Sequence, residues 1–317
     1  MKNFINEDKI FDILEETQRP SRQRVETIIN KSLALKGLNP EEVAVLLNCD
    51  EKVVLNKIFK TAKQIKETIY GNRLVLFAPL YLSNRCVNNC LYCGFRKEHL
   101  NTETRCLNTN EIREETRALI SQGHKRLLIV SAEDPAVDID YVGKAIKTVY
   151  DTKEGNGGIR RVNINVAPMG VENFKRLKQT GIGTYQLFQE TYHGDTYSLL
   201  HTSGPKSDYL KRLYACDIAQ SAGIDDIGIG ALFGLYDYKF EVLSLLFHTM
   251  HLEEVFGVGP HTISVPRLEQ AQGSNIASAP PNPVSDSDLK KIIAVLRLAV
   301  PYTGIILSTR ENAALRN

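Results

Sequence analysis

No stretch of this 317-residue sequence is apolar over a length that would span a bilayer, which argues against a membrane partner. Charge of one sign is lacking as well. The 39 Lys and Arg residues stand against 37 Asp and Glu, and a formal net charge of +2 gives no reason to expect nucleic acid. A signal-peptide pattern is missing from the N-terminus, where Met1-Lys2-Asn3-Phe4-Ile5-Asn6-Glu7-Asp8 is polar and acidic. A disulfide framework is missing too. Of six cysteines, three lie within eight residues, a spacing that reads as a metal site in a reducing compartment. These absences lead to a cytoplasmic expectation. Hydrophobic content of 43% with 24% charged residues is ordinary for a globular chain, and the length allows one barrel-sized domain or two smaller ones.

What is present falls into two parts. Over residues 1–70, apolar residues recur at three- and four-residue steps through Ile10, Leu14, Val25, Ile28, Ile29, Leu33 and Leu35, so this segment is expected to be helical. Asn39-Pro40-Glu41-Glu42 reads as a helix start, and Asp50 as the cap of a next helix that runs towards Tyr70 and stops at Gly71-Asn72. From residue 71 to 317 the pattern alternates. Strands are expected at 77–83, 127–132, 162–167, 185–189, 226–232, 262–267 and 304–308. Helices are expected at 110–122, 140–150, 171–179, 208–222, 238–256 and 286–299, with Gly123, Gly181, Gly223 and Gly257 at positions past helix ends that favour a left-handed residue. Such alternation implies an α/β fold with a parallel sheet, here a (β/α) TIM-type barrel behind an N-terminal helical extension. About seven strands are found, and no eighth follows Ser308-Thr309-Arg310, so the barrel is expected to be incomplete, a fragment of a longer chain, with 311–317 at most beginning a helix. Residues 269–283 are expected to form a long loop at the mouth, a lid or a surface excursion, kept irregular by Pro280, Pro281 and Pro283.

The chemistry concentrates in Cys86-Val-Asn-Asn-Cys90-Leu-Tyr-Cys93. Three thiolates can hold a [4Fe–4S] cluster with one iron left open, whereas structural cysteine sites are closed by four ligands. With His99 as a fourth ligand the alternative is a closed zinc site in a non-catalytic, zinc-stapled barrel protein. The expected strand ends carry Glu133 and Asp134, Gln189 and Glu190, Gly228 and Gly230, Arg267, and Ser308 with Arg310. In a parallel barrel these converge at the active-site end. Asn163 and Asn165 are expected to satisfy buried backbone groups. Cys49 and Cys216 read as packed core thiols, Cys106 lies near the cysteine loop, and His248 and His251 sit on a helix face expected to be solvated.

The C-x3-C-x2-C spacing, with Tyr92 before the last cysteine and a first barrel strand directly upstream, resembles the radical S-adenosylmethionine (radical SAM) superfamily. That resemblance implies that Cys86, Cys90 and Cys93 bind a [4Fe–4S] cluster whose open iron is chelated by S-adenosyl-L-methionine, and that reductive cleavage yields a 5′-deoxyadenosyl radical. It further implies that Ser131-Ala132-Glu133 stands where the family has a G-G-E-like run, with Glu133 on the methionine amino group. Gln189 or Glu190 would reach the ribose, Gly228 and Gly230 would leave room for adenine, and Tyr92 would lie near the adenine edge. Longer runs carry a narrower resemblance. Ala78-Pro79-Leu80-Tyr81-Leu82-Ser83-Asn84, Phe188-Gln189-Glu190-Thr191-Tyr192-His193, Leu232-Phe233-Gly234-Leu235-Tyr236-Asp237-Tyr238, Gly259-Pro260-His261-Thr262-Ile263-Ser264-Val265-Pro266-Arg267 and Ile306-Leu307-Ser308-Thr309-Arg310-Glu311 look like the tyrosine lyases of the superfamily. That group serves hydrogenase maturation and a thiamine pathway. It implies cleavage of the Cα–Cβ bond of tyrosine to p-cresol and dehydroglycine. It implies an electron donor such as a ferredoxin or flavodoxin, and other hydrogenase maturation proteins as partners. Another aromatic amino acid is the alternative substrate. The substrate carboxylate is assigned to Arg310 beside Ser308, with Arg267 as the second choice. A further conversion of dehydroglycine at a second iron–sulfur site belongs to a C-terminal region not found here, and this chain is expected to lack it.

Overall fold

The computed structural model describes residues 1–311; residues 312–317, where a further helix was expected to begin, lie outside the described residues. Four helices come first, Glu7–Glu16, Arg22–Ser32, Pro40–Leu47 and Lys52–Tyr70. The third begins in a capping box: Glu42 N–H donates to Asn39 Oδ1 (2.9 Å) and Asn39 N–H to Glu42 Oε2 (3.0 Å). The fourth does not start on Asp50 as expected. Its N-cap is Glu51, which makes no side-chain cap, and the Asp50 carboxylate instead accepts from Lys291 Nζ (2.8 Å) on helix Asp286–Ala299. Those two helices pack along each other, and Val54, Ile58 and Ile65 join Leu289, Ile292 and Leu296 in one hydrophobic cluster that continues into the barrel. No helix among the described residues is long and apolar enough to cross a membrane.

The barrel strands are β1 (Ala78–Ser83), β2 (Arg126–Ser131), β3 (Arg161–Asn165), β4 (Tyr185–Gln186), β5 (Ile227–Gly230), β6 (Thr262–Ser264) and β7 (Gly304–Ile306). They pair in chain order and all in parallel, each crossover carrying a helix on the outside. Among the described residues no strand joins β7 back to β1, so the sheet is a curled, incomplete (β/α) barrel. β4 is shorter than expected, although its ladder continues through Leu187 N–H to Gly228 O (2.9 Å) and Gln189 N–H to Gly230 O (3.0 Å). The helix expected at 208–222 breaks at Tyr214 into Tyr209–Leu213 and Ala215–Ser221. Helix Gly194–Leu200, capped by His193, was not foreseen. Within the loop at 269–283, prolines were expected to exclude regular structure. They begin only at Pro280, and upstream of them Ser274 Oγ accepts from Ala277 N–H (3.0 Å) to cap a one-turn helix, Asn275–Ser278. The glycines past the helix ends do adopt positive φ, as at Gly123 (92°) and Gly257 (71°).

The strands present two different faces. Leu80, Ile129, Ile164, Tyr185, Ile227, Ile229 and Ile263 point outwards and are buried beneath the helices. By register, the residues between them point inwards, and these are Asn163, Asn165, Gln186, Thr262 and Ser264, with Gly228 and Gly230. At the N-terminal end Arg161 pairs with Asp226 (2.5 Å) and donates to Asn163 Oδ1 (3.2 Å), which also accepts from Thr184 N–H (3.1 Å). Asn163 thus satisfies backbone as expected. Cys49 and Cys216 are buried, again as expected. The helix face of His248 and His251 is not solvated. Tyr192 Oη lies 2.8 Å from His248 Nδ1, His251 Nε2 lies 2.6 Å from Asp217 Oδ1, and Phe4 stacks on His251.

Two outcomes follow from this packing. Ile58→Ala removes a fully buried side chain from the shared core, and should lower stability by about 2–5 kcal/mol in one cooperative urea transition followed by circular dichroism. Two separated transitions would contradict the shared core. Glu241 is fully buried between Thr191 Oγ1 and Tyr192 N–H, and burial pushes its carboxyl up to about 8. A raised folded pKa means that stability is complete below the ordinary value of 4.5 and declines as pH rises through 8. The urea midpoint should therefore fall between pH 5 and 9, and Glu241→Gln should flatten that decline.

Candidate active site

β1 delivers the chain directly into the cysteine loop, which has almost no regular structure of its own. Its backbone is held from two sides. Val87 N–H donates to Glu133 O (2.9 Å) at the end of β2, while Asn89 N–H donates to Ser203 O (3.0 Å) and Leu91 N–H to Leu200 O (2.9 Å) in the segment after β4. Asn88 ties both sides together: its Nδ2 donates to Glu133 Oε2 (2.8 Å) and its Oδ1 accepts from Lys206 N–H (2.8 Å). The close approach requires glycine at 204. Its φ is +92°, and a Cβ there would lie 2.8 Å from both Asn88 Cα and Val87 O.

The sulfurs are prepared for metal. Asn88 donates to Cys86 Sγ from its backbone N–H (3.4 Å) and from Nδ2 (3.7 Å), and Phe95 N–H donates to Cys93 Sγ (3.4 Å). Hydrogen bonds of this kind stabilise thiolates and tune iron–sulfur clusters. Burial pushes the Cys90 thiol up to about 11 and raises Cys93, with Lys206 opposing it in both. Thiols so desolvated ionise only with a compensating cation, which links deprotonation to metal binding. All three are free of disulfides. The donor set therefore fits a [4Fe–4S] cluster. A closed zinc site is not assembled. His99 Nδ1 faces Gly94 O (2.8 Å) and Thr102 Oγ1 (2.8 Å). Among the described residues no three His, Cys, Asp or Glu side chains come close enough to hold one ion. Ligands of a single zinc lie within about 4 Å of each other, whereas thiolates on separate corners of an iron–sulfur cube stand farther apart.

Around the loop the expected ligand-binding residues divide sharply. Glu133 is half-buried and faces Asn88 of the cysteine loop. Glu190 reaches the mouth in a left-handed conformation (φ 72°) that disfavours any side chain. Burial opposes its ionisation, but Lys206 Nζ (2.6 Å) and Arg212 Nη2 (3.3 Å) outweigh that and hold it below the ordinary carboxylate value. Gln189 does not reach the mouth. It falls on the outward face of the β4 ladder with Tyr185 and Leu187, and its Nε2 donates to Tyr209 O (3.3 Å). Tyr92 is buried, and its hydroxyl lies 2.8 Å from His201 Nε2. His201 Nδ1–H donates to Tyr197 O (2.8 Å), so Nε2 is the acceptor. At Gly228 and Gly230 the positions that Cβ atoms would take are already met by Gln186, Thr262 and Phe188, so glycine is needed there for these side chains to fit.

The arginines divide in the same way. Arg267 is not available to a substrate. It forks onto Glu311, with Nε to Oε1 at 3.0 Å and Nη2 on Oε2, and its Nη1 meets Val284 O (2.9 Å) and Asp286 Oδ1 (2.9 Å). Arg310 is exposed on the turn after β7, and Ser308 Oγ accepts from Arg310 N–H (3.1 Å), which leaves its own O–H free to donate. Asn88, Gly204, Lys206 and Arg212 escaped the sequence reading. Asn88 could have been suspected from its place between two cysteines, but nothing in the spacing marks the other three.

The long loop is fastened over the cysteine loop. Ser274 Oγ donates to Leu91 O (2.7 Å), Arg96 reaches Gly273 O, and Leu268 and Ile276 pack with Cys90, Tyr92, Leu200 and Leu235. This places it as a cover rather than a surface excursion.

The sequence matches the Radical SAM superfamily over residues 80–246 and the Biotin and Thiamin Synthesis associated domain over residues 264–317. The chain is similar to the crystal structure of HydG, a maturase of the [FeFe]-hydrogenase, at 54% identity and a TM-score of 0.97, covering 99% of this chain and 69% of that one. For the maturase HydG from Carboxydothermus hydrogenoformans the values are 43% and 0.90, covering 98% and 71%. It is also 30% identical over 291 residues to the 2-iminoacetate synthase of Salmonella typhimurium, covering 91% of this chain and 74% of that relative.

If Gly204 sets the cysteine loop, then Gly204→Ala should lower iron bound per chain after anaerobic reconstitution to less than half of wild type, with the far-ultraviolet circular dichroism unchanged. Full iron content in that variant would show that the close approach is dispensable.

Proposed function

The chain belongs to the radical SAM superfamily, and we propose that it is a tyrosine lyase, cleaving the Cα–Cβ bond of tyrosine to p-cresol and dehydroglycine (2-iminoacetate) in the maturation of a hydrogenase. Enzymes of the superfamily use a [4Fe–4S] cluster and S-adenosylmethionine, act on a small-molecule substrate and need a reductant. The observation that carries the proposal is the likeness to HydG, 54% identity over 99% of the chain, together with three free thiols held on one loop at the strand ends. The likeness to a 2-iminoacetate synthase supports the same bond cleavage and leaves only the fate of the dehydroglycine different.

When bound, the cluster and S-adenosylmethionine supply an organic radical that takes a hydrogen atom from the substrate. The chain's own residues do the rest. Cys86, Cys90 and Cys93 would hold the cluster. Glu133, at the end of β2, would accept from the methionine ammonium, and Glu190, braced by Lys206 and Arg212, would meet the ribose hydroxyls. The loop fastened by Ser274 would help to shield the buried side of the cysteine loop, at Cys90 and Tyr92, from water. Arg310 would anchor the tyrosine carboxylate, since Arg267 is already paired with Glu311. A reducing cytoplasm, with a ferredoxin or flavodoxin as donor, suits an oxygen-sensitive cluster.

Reconstituted protein given tyrosine, S-adenosylmethionine and a reductant should release p-cresol and 5′-deoxyadenosine in equal amounts. Losing a charge-assisted ion pair of about 1.5–3 kcal/mol, Arg310→Ala should raise KM for tyrosine roughly 10- to 100-fold with iron content unchanged. Release of 5′-deoxyadenosine without p-cresol would overturn tyrosine as the substrate and leave the enzyme class standing.

A further inference from the structure

The inward face of β4–β6 carries polar atoms that the protein leaves unused. Gln186 Nε2, Thr262 Oγ1 and Ser264 Oγ are buried and have no hydrogen-bond partner. The residues are 1%, 8% and 2% exposed. A buried polar group without a partner is destabilising, so three of them on adjoining strands call for one. They are neighbours by register. Gln186 pairs with Gly228, Gly228 with Thr262, and Ser264 lies opposite Gly230. A Cβ at Gly228 would stand 2.6 Å from Thr262 Oγ1 and 2.7 Å from Gln186 Cγ, so these two side chains converge over the glycine. Phe188 lies on the same face, its ring over Gly230, where a Cβ would stand 2.7 Å from Cδ1.

The chemistry of this group differs from that of the mouth. Glu133, Glu190, Lys206 and Arg212 make the strand ends charged. Gln186 lies four residues before Glu190, roughly 13 Å down an extended strand, among an amide and two hydroxyls. The nearest formal charges on this face, Arg161 and Asp226 one layer below, are already paired with each other, so none is left to balance a buried carboxylate or ammonium, which would be costly. A neutral hydroxyl can both accept from an amide N–H and exchange hydrogen bonds with Thr and Ser. An aromatic ring bearing it would lie against Phe188. We propose that Gln186, Thr262 and Ser264, beside Phe188, form the pocket that recognises the phenolic hydroxyl of the substrate, so that this barrel selects a p-hydroxyphenyl amino acid over its deoxy analogue. The assignment rests on the reading of the chain as a tyrosine lyase and adds to it the residues that set its specificity.

A site built to hydrogen-bond a hydroxyl rejects the analogue without it by a large factor, about 10⁴–10⁵ in the strongest cases. The test is equilibrium dialysis of labelled tyrosine and phenylalanine against the reconstituted enzyme with S-adenosylmethionine and no reductant, with p-cresol release measured separately. Wild type should bind tyrosine at least 100-fold more tightly than phenylalanine. In Gln186→Met/Thr262→Val the ratio should fall below about tenfold through weaker tyrosine binding, with phenylalanine affinity within threefold of wild type. Ser264→Ala provides a milder variant and should reduce the ratio by a smaller factor. Because the substitutions remove groups that have no partner in the protein, the urea midpoint should hold or rise. An unchanged ratio with a lowered midpoint would mean that the three groups serve only buried water or the fold, and would overturn the pocket. Wild-type release of p-cresol with an unchanged ratio in the variants overturns the pocket alone. Selective tyrosine binding that the variants abolish, without p-cresol release, overturns the lyase reading alone. Failure of wild type to prefer tyrosine overturns the pocket whatever the product assay gives.

Discussion

Three thiolates on a loop without regular structure can share one cluster only if something else fixes the loop's backbone. Here the segment after β4 does so. Asn89 and Leu91 donate to Ser203 and Leu200, Cys90 bridges to His201, and the side chain of Asn88 spans from the end of β2 to Lys206. Each such bond contributes only about 0.5–1.5 kcal/mol net, yet together they leave the loop little freedom. The geometry has a backbone cost. Glu190 takes up a left-handed conformation as the chain leaves β4, and Gly204 does so where it presses on Asn88. Both lie in the stretch that carries Lys206 and Arg212, and Lys206 does two things there: its N–H holds Asn88 of the cysteine loop and its Nζ pairs with Glu190.

The second constraint is the two-faced strand. Strands of a barrel covered by helices are apolar on the outside by necessity, and Ile164, Ile227 and Ile263 obey it. The inside is free to differ, and here it is polar and glycine-rich. A charged mouth therefore stands above a polar lumen whose only charges, Arg161 and Asp226 among the residues described above, are paired with each other. The cover formed around Asn275–Ser278 adds apolar contact, because Leu268 and Ile276 complete a small apolar cluster around Cys90 and Tyr92.

Much of this was legible in the chain. The cysteine spacing is local, and local spacing survives folding, so the ligand loop could be read directly. Helix starts such as Asn39-Pro40-Glu41-Glu42 are legible for the same reason, since a capping box involves residues three apart. The alternation of strand and helix was clear enough to place seven parallel strands in order. Errors arose where partners are distant or where one step of register matters. Gln189 and Glu190 are adjacent and equally polar, but alternation sends only one of them to the mouth. Arg267 seemed a free cation until Glu311 met it across 44 positions, and Asp50 looked like a cap until Lys291 claimed it across 241.

The sequence by itself determined the sulfur donors, the succession of elements and the superfamily likeness, because each is written in short-range pattern. Only the tertiary structure decided which polar side chains are already partnered inside the protein and which are left with unanswered hydrogen bonds. That distinction depends on pairings between strands and loops far apart in the chain, and no spacing along the chain encodes them.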